Sequence, residues 1–144
     1  MKETKLMRFI AMAVISVCSI ATTFAQNIHF IGSPAITDNG STLSFCGKLA
    51  GLGNSEVVTV TLNTTATTIT ECTNAGGNVA PGQTKTGTVS TSGTFTADKN
   101  GSVTFCLTTN TPSPGKCPNG KWTGTVTDVS FSNSFVSVNG TRVN

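Results

Sequence analysis

The stretch Val57-Val-Thr-Val-Thr-Leu62 decides the fold class of this 144-residue chain. Val58, Val60 and Leu62 fall on one face, and threonines alternate with them on the other. A period of two with one polar face is typical of a half-buried β-strand. Valine and threonine are branched at Cβ, which suits a pleated surface. The stretch therefore predicts a strand that packs one face on a core.

Two further segments show the same alternation, Thr42–Leu49 and Ser102–Thr108. The residues expected to face inward from these segments are Leu43, Phe45, Leu49, Val103, Phe105 and Leu107. Weaker patterns predict strands at Gln26–Ile31, Thr64–Cys72 (carrying Ile69), Thr84–Val89 with Gly93–Ala97, Trp122–Phe131 and Ser134–Val138. A change of phase within the Trp122–Phe131 strand predicts a bulge near Thr127–Asp128.

Turn and loop signals separate these segments. Asp38–Gly40 reads as a turn, and Asp98–Gly101 reads as a type I′ hairpin because Asn-Gly suits two positive φ angles. Thr73–Gln83 and Asn110–Lys121 are the two long loops. The result is seven to nine short strands, which predicts an all-β antiparallel β-sandwich of immunoglobulin-like type.

The first 25 residues have the pattern of an export signal. A basic start at Met1–Arg8 precedes the apolar run Phe9–Ile20, and Thr23 and Ala25 supply small residues at a cleavage site. The run is too short to span a bilayer, which takes about 20 residues. We therefore expect residues 26–144 to form a single domain that is secreted, periplasmic or displayed at the cell surface, with no membrane span after cleavage.

Charge excludes one large class of partner. Residues 1–25 hold three of the nine basic and one of the six acidic residues, which leaves six and five in the domain. The remaining basic residues are scattered and form no stripe. A nearly neutral domain without an aromatic platform does not fit a nucleic-acid partner.

Four cysteines remain after the signal, and an even number in an exported domain favours two bridges. Cys46 and Cys106 each follow a core phenylalanine and point to the polar face of their strands, so neighbouring strands would bring them together. Cys72 and Cys117 border the two long loops. We therefore predict the bridges Cys46–Cys106 and Cys72–Cys117. Metal binding and redox catalysis are set aside because no C-x₂-C spacing and no paired histidines occur.

The loops also carry a resemblance. Ala50-Gly-Leu-Gly-Asn54, Cys72-Thr-Asn-Ala-Gly-Gly-Asn78 with Pro81-Gly82, and Cys117-Pro-Asn119 with Trp122 form one pattern. In this pattern the chain resembles a group of small exported bacterial proteins of uncharacterised function. The resemblance implies a β domain with the Cys72–Cys117 bridge, and it carries over no catalytic or binding residue.

The sequence offers no catalytic constellation. His29 is the only histidine, and the carboxylates are far apart, with Glu71 and Asp128 as the one pair that a fold could bring together. Asp98–Gly101 begins like a calcium loop but lacks the closing glutamate. We therefore expect no enzyme activity, no metal and no cofactor.

The best candidate site is the pair of long loops beside Trp122, since loops on a rigid sandwich commonly carry recognition. The candidate ligand-binding residues are Trp122, Asn74, Asn78, Gln83, Asn119 and Lys121. A flat indole can stack on a sugar, whereas a lone tryptophan at a strand start is more often a core residue. The sequence therefore favours a binding or surface module for a glycan or a protein. The alternatives are a structural subunit of a surface or envelope assembly and a small secreted hydrolase.

Overall fold

The computed structural model describes residues 27–144, which form two antiparallel sheets and, within that range, no helix. The prediction of an all-β antiparallel sandwich with two disulfides is confirmed. The predicted signal at 1–25 lies outside the described residues. The strands are β1 (His29–Phe30), β2 (Ala35–Asp38), β3 (Leu43–Ala50), β4 (Val57–Asn74), β5 (Val79–Pro81), β6 (Lys85–Thr96), β7 (Val103–Thr108), β8 (Trp122–Val138) and β9 (Thr141–Arg142).

Sheet A is the smaller layer, and β3 lies at its centre. β7 pairs along one side of β3. β1 and β2 pair along the other side, one after the other, so that together they act as a single interrupted edge strand. The interruption contains Gly32 in the left-handed region and Pro34, whose ring removes a donor from the edge.

Sheet B is built on β4, which is 18 residues long. β5 and β6 pair along one side of β4, and β8 pairs along the other. β9 closes a short hairpin on the end of β8. Because β3 and β7 have only eight and six residues, sheet A covers one half of sheet B and leaves the other half to a loop.

The apolar core lies where the two sheets overlap. It includes Val58, Val60 and Leu62, which are fully buried, so the inward face predicted for the opening stretch is confirmed. Phe45 and Phe105, on neighbouring strands of sheet A, stack within it at 6.2 Å between ring centroids. Burying such side chains stabilises the fold by about 1.5–3 kcal/mol each.

The prediction that Thr64–Cys72 forms a strand of its own was wrong. β4 continues without a break from Val57 to Asn74, so the even-numbered positions remain inside. Ile69 is therefore on the outer face and is 49% exposed. The inner face beyond Leu62 carries a buried set that is mostly polar, namely Thr64, Ala66, Thr68, Thr70 and Cys72.

Several boundaries also differ from the prediction. The two pieces predicted at 84–97 are one strand, β6, and the two pieces predicted at 122–138 are one strand, β8. Thr73–Gln83 is a hairpin that contains β5, rather than a loop throughout. In the β4–β8 ladder, Ile69 pairs with Asp128 and the next residue, Thr70, pairs with Val126. Thr127 is therefore left without a partner in the register, and the bulge predicted near Thr127–Asp128 is confirmed.

The Asp98–Gly101 turn exists, but it is neither a type I′ turn nor a hairpin within one sheet. Gly101 has φ 72°, whereas Asn100 is not among the described non-glycine residues with positive φ. The turn connects β6 of sheet B to β7 of sheet A. No helix in the described part of the chain is long and apolar enough to cross a membrane.

Candidate functional site

Both predicted bridges are present. Cys46 and Cys106 are direct partners in the β3–β7 ladder, with Cα atoms 4.0 Å apart. Their side chains lie opposite the core-facing Phe45 and Phe105 side chains, on the outer face of sheet A. This bridge staples two neighbouring strands of one sheet, as their common phase predicted.

The second bridge ties the long loop to sheet B. Cys72 is fully buried on the inner face of β4, and its Cα lies 5.8 Å from that of Cys117. Cys117 belongs to the segment 109–121, which connects β7 to β8 and contains no strand. The bridge therefore holds this segment over the half of sheet B that sheet A does not cover.

Hydrogen bonds fix the same segment at three more places. The Gly115 amide donates to Thr70 Oγ1 at 2.6 Å, and the Gln83 amide donates to the Lys116 carbonyl at 2.9 Å. Lys85 Nζ donates to Ser113 Oγ at 2.5 Å. No buried side-chain nitrogen or oxygen among residues 27–144 lacks a partner, so the polar inner face of β4 is satisfied.

The segment and the start of β6 enclose a shallow groove of about 400 Å³. Its lining residues are Gln83, Thr84, Lys85, Thr86, Pro114, Gly115 and Lys116. A neighbouring depression of about 350 Å³ shares Gln83 and Lys116 and extends to Pro118. The groove is therefore lined by residues with a side-chain amide, hydroxyls and two ammonium groups, and by no residue with a carboxylate.

Asn74 and Asn78 use their polar groups to build the β4–β5 turn. Asn74 Oδ1 accepts from the amides of Gly76 and Asn78, at 3.0 and 2.9 Å, and from Asn78 Nδ2 at 3.3 Å. The Asn74 amide in turn donates to the Asn78 carbonyl. These two predicted ligand-binding side chains thus serve the turn itself.

Asn119 has a similar local role at the start of β8. Its Oδ1 accepts from the Lys121 amide at 3.0 Å, and its carbonyl accepts from the Trp122 amide at 3.2 Å. Trp122 is half-buried and pairs with Asn74 across the β4–β8 ladder. The structure therefore brings Asn74, Asn78, Asn119, Lys121 and Trp122 to one tip of sheet B.

Gln83 lies apart from that tip, beside Thr70, whose carbonyl accepts from the Gly82 amide. Sequence reasoning did not identify Lys85, Pro114 or Lys116 as groove residues. These residues could have been found from the alternation of β4, which continues without a break and places Thr70 on the inner face. A buried threonine there requires a polar segment packed over it. The predicted site residues therefore divide between a tip and a groove.

Two titratable groups outside the groove, His29 and Asp98, have local partners. His29 is exposed, and its Nδ1 lies 2.8 Å from the Asn27 carbonyl oxygen. Asp98 Oδ1 accepts from the amides of Ser102 and Asn100 within the inter-sheet turn. The bond from Ser102 is the largest cause that lowers the pKa of Asp98. Among residues 27–144, no group of three histidines, cysteines or carboxylates could hold a metal ion.

Comparisons with known proteins give no relative for the chain: no family model, curated protein or solved structure matches it.

Proposed function

We propose that this protein is an exported, non-enzymatic binding module whose ligand is a saccharide that carries carboxylate groups. The observation that carries this proposal is the groove between Lys85 and Lys116, walled by the 109–121 segment. Ammonium groups attract carboxylates, while the side-chain amide of Gln83 and the hydroxyls of Thr84 and Thr86 can hydrogen-bond to sugar hydroxyls.

Rigidity of the groove supports recognition. The wall is held by the Cys72–Cys117 bridge and by hydrogen bonds to Thr70 and Gln83. A wall that is ordered before binding loses little conformational freedom when the ligand arrives, and this favours affinity. Trp122, half-buried at the separate tip, offers a second surface, an aromatic face on which a sugar ring can stack.

Two further parts of the proposal concern location and fold type. A fully buried Cys72 in a disulfide supports export, because such bonds persist in oxidising compartments. Sheet A has the spatial order β1/β2, β3, β7, and sheet B has the order β5/β6, β4, β8, β9. This arrangement supports an immunoglobulin-like classification, although the two bridges differ from the inter-sheet bridge of antibody domains.

A glycan array tests the binding proposal. We expect the purified chain to bind saccharides with uronic or sialic acids better than their neutral counterparts. Lys116→Gln should reduce that binding by about tenfold, and Trp122→Ala should reduce binding to neutral and acidic members alike. Lys48→Gln, an exposed lysine on sheet A, is the matched control and should bind like the wild type.

Three results would count against the proposal: no binding by the wild type, equal loss in Lys48→Gln, or no preference for acidic sugars.

A second candidate function is a structural subunit of a surface assembly. The observation that favours it is the free side of β6, because an unpaired edge strand can add a strand from another molecule.

A further inference from the structure

β6 is an unusually long edge strand. It has 12 residues, against a usual five or six, and its only ladder partner within residues 27–144 is β4. The β4–β6 register runs from Val57↔Thr96 to Thr68↔Lys85 without a shift. The main-chain groups on its other side therefore form one regular row.

β6 also lacks the features by which edge strands avoid pairing with other molecules. Such features are charges, prolines, bulges and interruptions. From Thr86 to Thr96 the strand has no charged residue and no proline. By contrast, the β8 edge has Asp128 and two register irregularities against β4, and the β1/β2 edge is interrupted at Pro34.

The sequence of β6 reads almost alike in both directions about Ser90. Thr86-Gly-Thr-Val-Ser-Thr-Ser-Gly-Thr94 places equivalent residue types at equal distances from the centre. The symmetric pairs are Thr86 with Thr94, Gly87 with Gly93, Thr88 with Ser92, and Val89 with Thr91. An antiparallel pair of two identical strands related by a two-fold axis brings those positions opposite each other.

We propose that β6 pairs antiparallel with β6 of a second copy of this chain, about a two-fold axis at Ser90. The two copies of sheet B then form one continuous sheet. Over the nine residues 86–94 the pairing gives about nine main-chain hydrogen bonds, similar to a typical protein interface.

Both faces of the paired strands are compatible with this register. On the outer face, exposed Thr88 meets Ser92 of the second copy, and hydroxyl pairs of this kind favour cross-strand pairing. On the inner face, Val89 meets Thr91 of the second copy, and glycines meet glycines without a clash. No like charges oppose each other in this register, because Lys85 lies opposite Phe95 of the second copy.

Sedimentation velocity over a range of concentrations tests the pairing. We expect a reversible dimer for the wild type. Ser90→Lys places like charges at the axis and should weaken the dimer by at least about tenfold. Thr65→Lys is the matched control, because Thr65 pairs with Thr88 on the outer face of the sheet but belongs to the central strand. It should leave the dimer unchanged.

Two further measurements test the register. Mixing Ser90→Lys with Ser90→Glu should restore a dimer between the two variants. Ser90→Cys should form a disulfide with itself on mild oxidation, because paired Cα atoms lie about 4.5–5.5 Å apart. Thr94→Cys should not cross-link with itself, but it should cross-link with Thr86→Cys.

A strict monomer at every concentration would overturn the proposal. A dimer that Ser90→Lys does not weaken, or that Thr65→Lys weakens equally, would place the interface elsewhere and also overturn it. The inference does not depend on saccharide binding. Lys116→Gln, which lies outside β6, should bind the acidic ligand about tenfold more weakly and keep the dimer, so the failure of one proposal is distinguishable from the failure of the other.

Discussion

The amide nitrogen of Gly115 lies 2.6 Å from the hydroxyl oxygen of Thr70, and this bond joins the 109–121 segment to the inner face of β4. Thr70 is only 3% exposed, so the bond is shielded from water. The long segment is therefore a third layer of the domain over the half of sheet B that sheet A does not cover.

Thr70→Val removes the acceptor for the Gly115 amide and keeps the shape of the side chain. A buried donor without a partner costs about 1–3 kcal/mol, so we expect the free energy of unfolding to fall by that amount in urea titrations. Thr59→Val, at an exposed position of the same strand, should change it by less than about 0.5 kcal/mol. Equal effects of the two substitutions would contradict the role of this bond.

Gly115→Ala tests how closely the 109–121 segment approaches the backbone of Gln83, which precedes β6. A Cβ at this position would lie 1.8 Å from the backbone oxygen of Gln83, and backbone cannot move aside as a side chain can. We expect a loss of about 1–3 kcal/mol, measured by thermal or urea unfolding. Gly120→Ala is the control because no atom lies within 4 Å of its added Cβ. A stable Gly115→Ala variant would show that the contact is loose.

The two disulfides should differ in what they stabilise. They join cysteines that are 60 and 45 residues apart in the sequence. For loops of this length the chain-entropy model gives a stabilisation of about 4 kcal/mol each. Replacing Cys72 and Cys117 by alanine also leaves a void at a fully buried position, whereas the Cys46–Cys106 bridge is on the outer face.

We therefore expect the Cys72/Cys117 double variant to unfold at a lower temperature than the Cys46/Cys106 double variant. Hydrogen exchange should also show faster exchange of the Gly115 amide in the first variant only. Equal exchange in both would contradict a local role for the buried bridge.

The stability of the fold should depend on pH through Asp98. The Ser102 amide, which bonds its carboxylate, lowers the pKa of Asp98 in the folded state, and the Asn100 amide and the Lys48 and Lys99 charges act in the same direction. A lowered pKa means that the charged carboxylate stabilises the fold above the pKa of the unfolded chain. That stabilisation is lost as the pH falls through the folded-state pKa.

Asp98→Asn should therefore reduce the melting temperature at pH 7, and the difference from the wild type should shrink on acidification below about pH 4. A difference that stays constant from neutral to strongly acidic pH would contradict this explanation.

Much of the fold follows from local patterns. The alternation at Val58, Val60 and Leu62 identifies an inward face, and the change of phase between Trp122 and Phe131 correctly located a bulge. The prediction treated Thr64–Cys72 as a separate strand and assigned no face to Ile69. Its position in an unbroken strand places it outside, since side chains alternate strictly along β4.

The candidate site was less predictable. Trp122 and the asparagines could be assigned to one region from the loops that hold them. The use of Asn74 and Asn119 in turns could not be predicted, because a turn amide and a ligand compete for the same side-chain oxygen. The groove at Lys116 depends on contacts between segments that are remote in the sequence.

The sequence by itself determined the strand periodicity and the pairing of Cys46 with Cys106, because both depend on which face of a strand each residue occupies. The pairing of Cys72 with Cys117 followed from their positions beside the two long loops. Only the tertiary structure decided the unequal lengths of the two sheets, the packing of the 109–121 segment against Thr70 and the free edge of β6. These features depend on which strands become neighbours, and local alternation carries no information about neighbours.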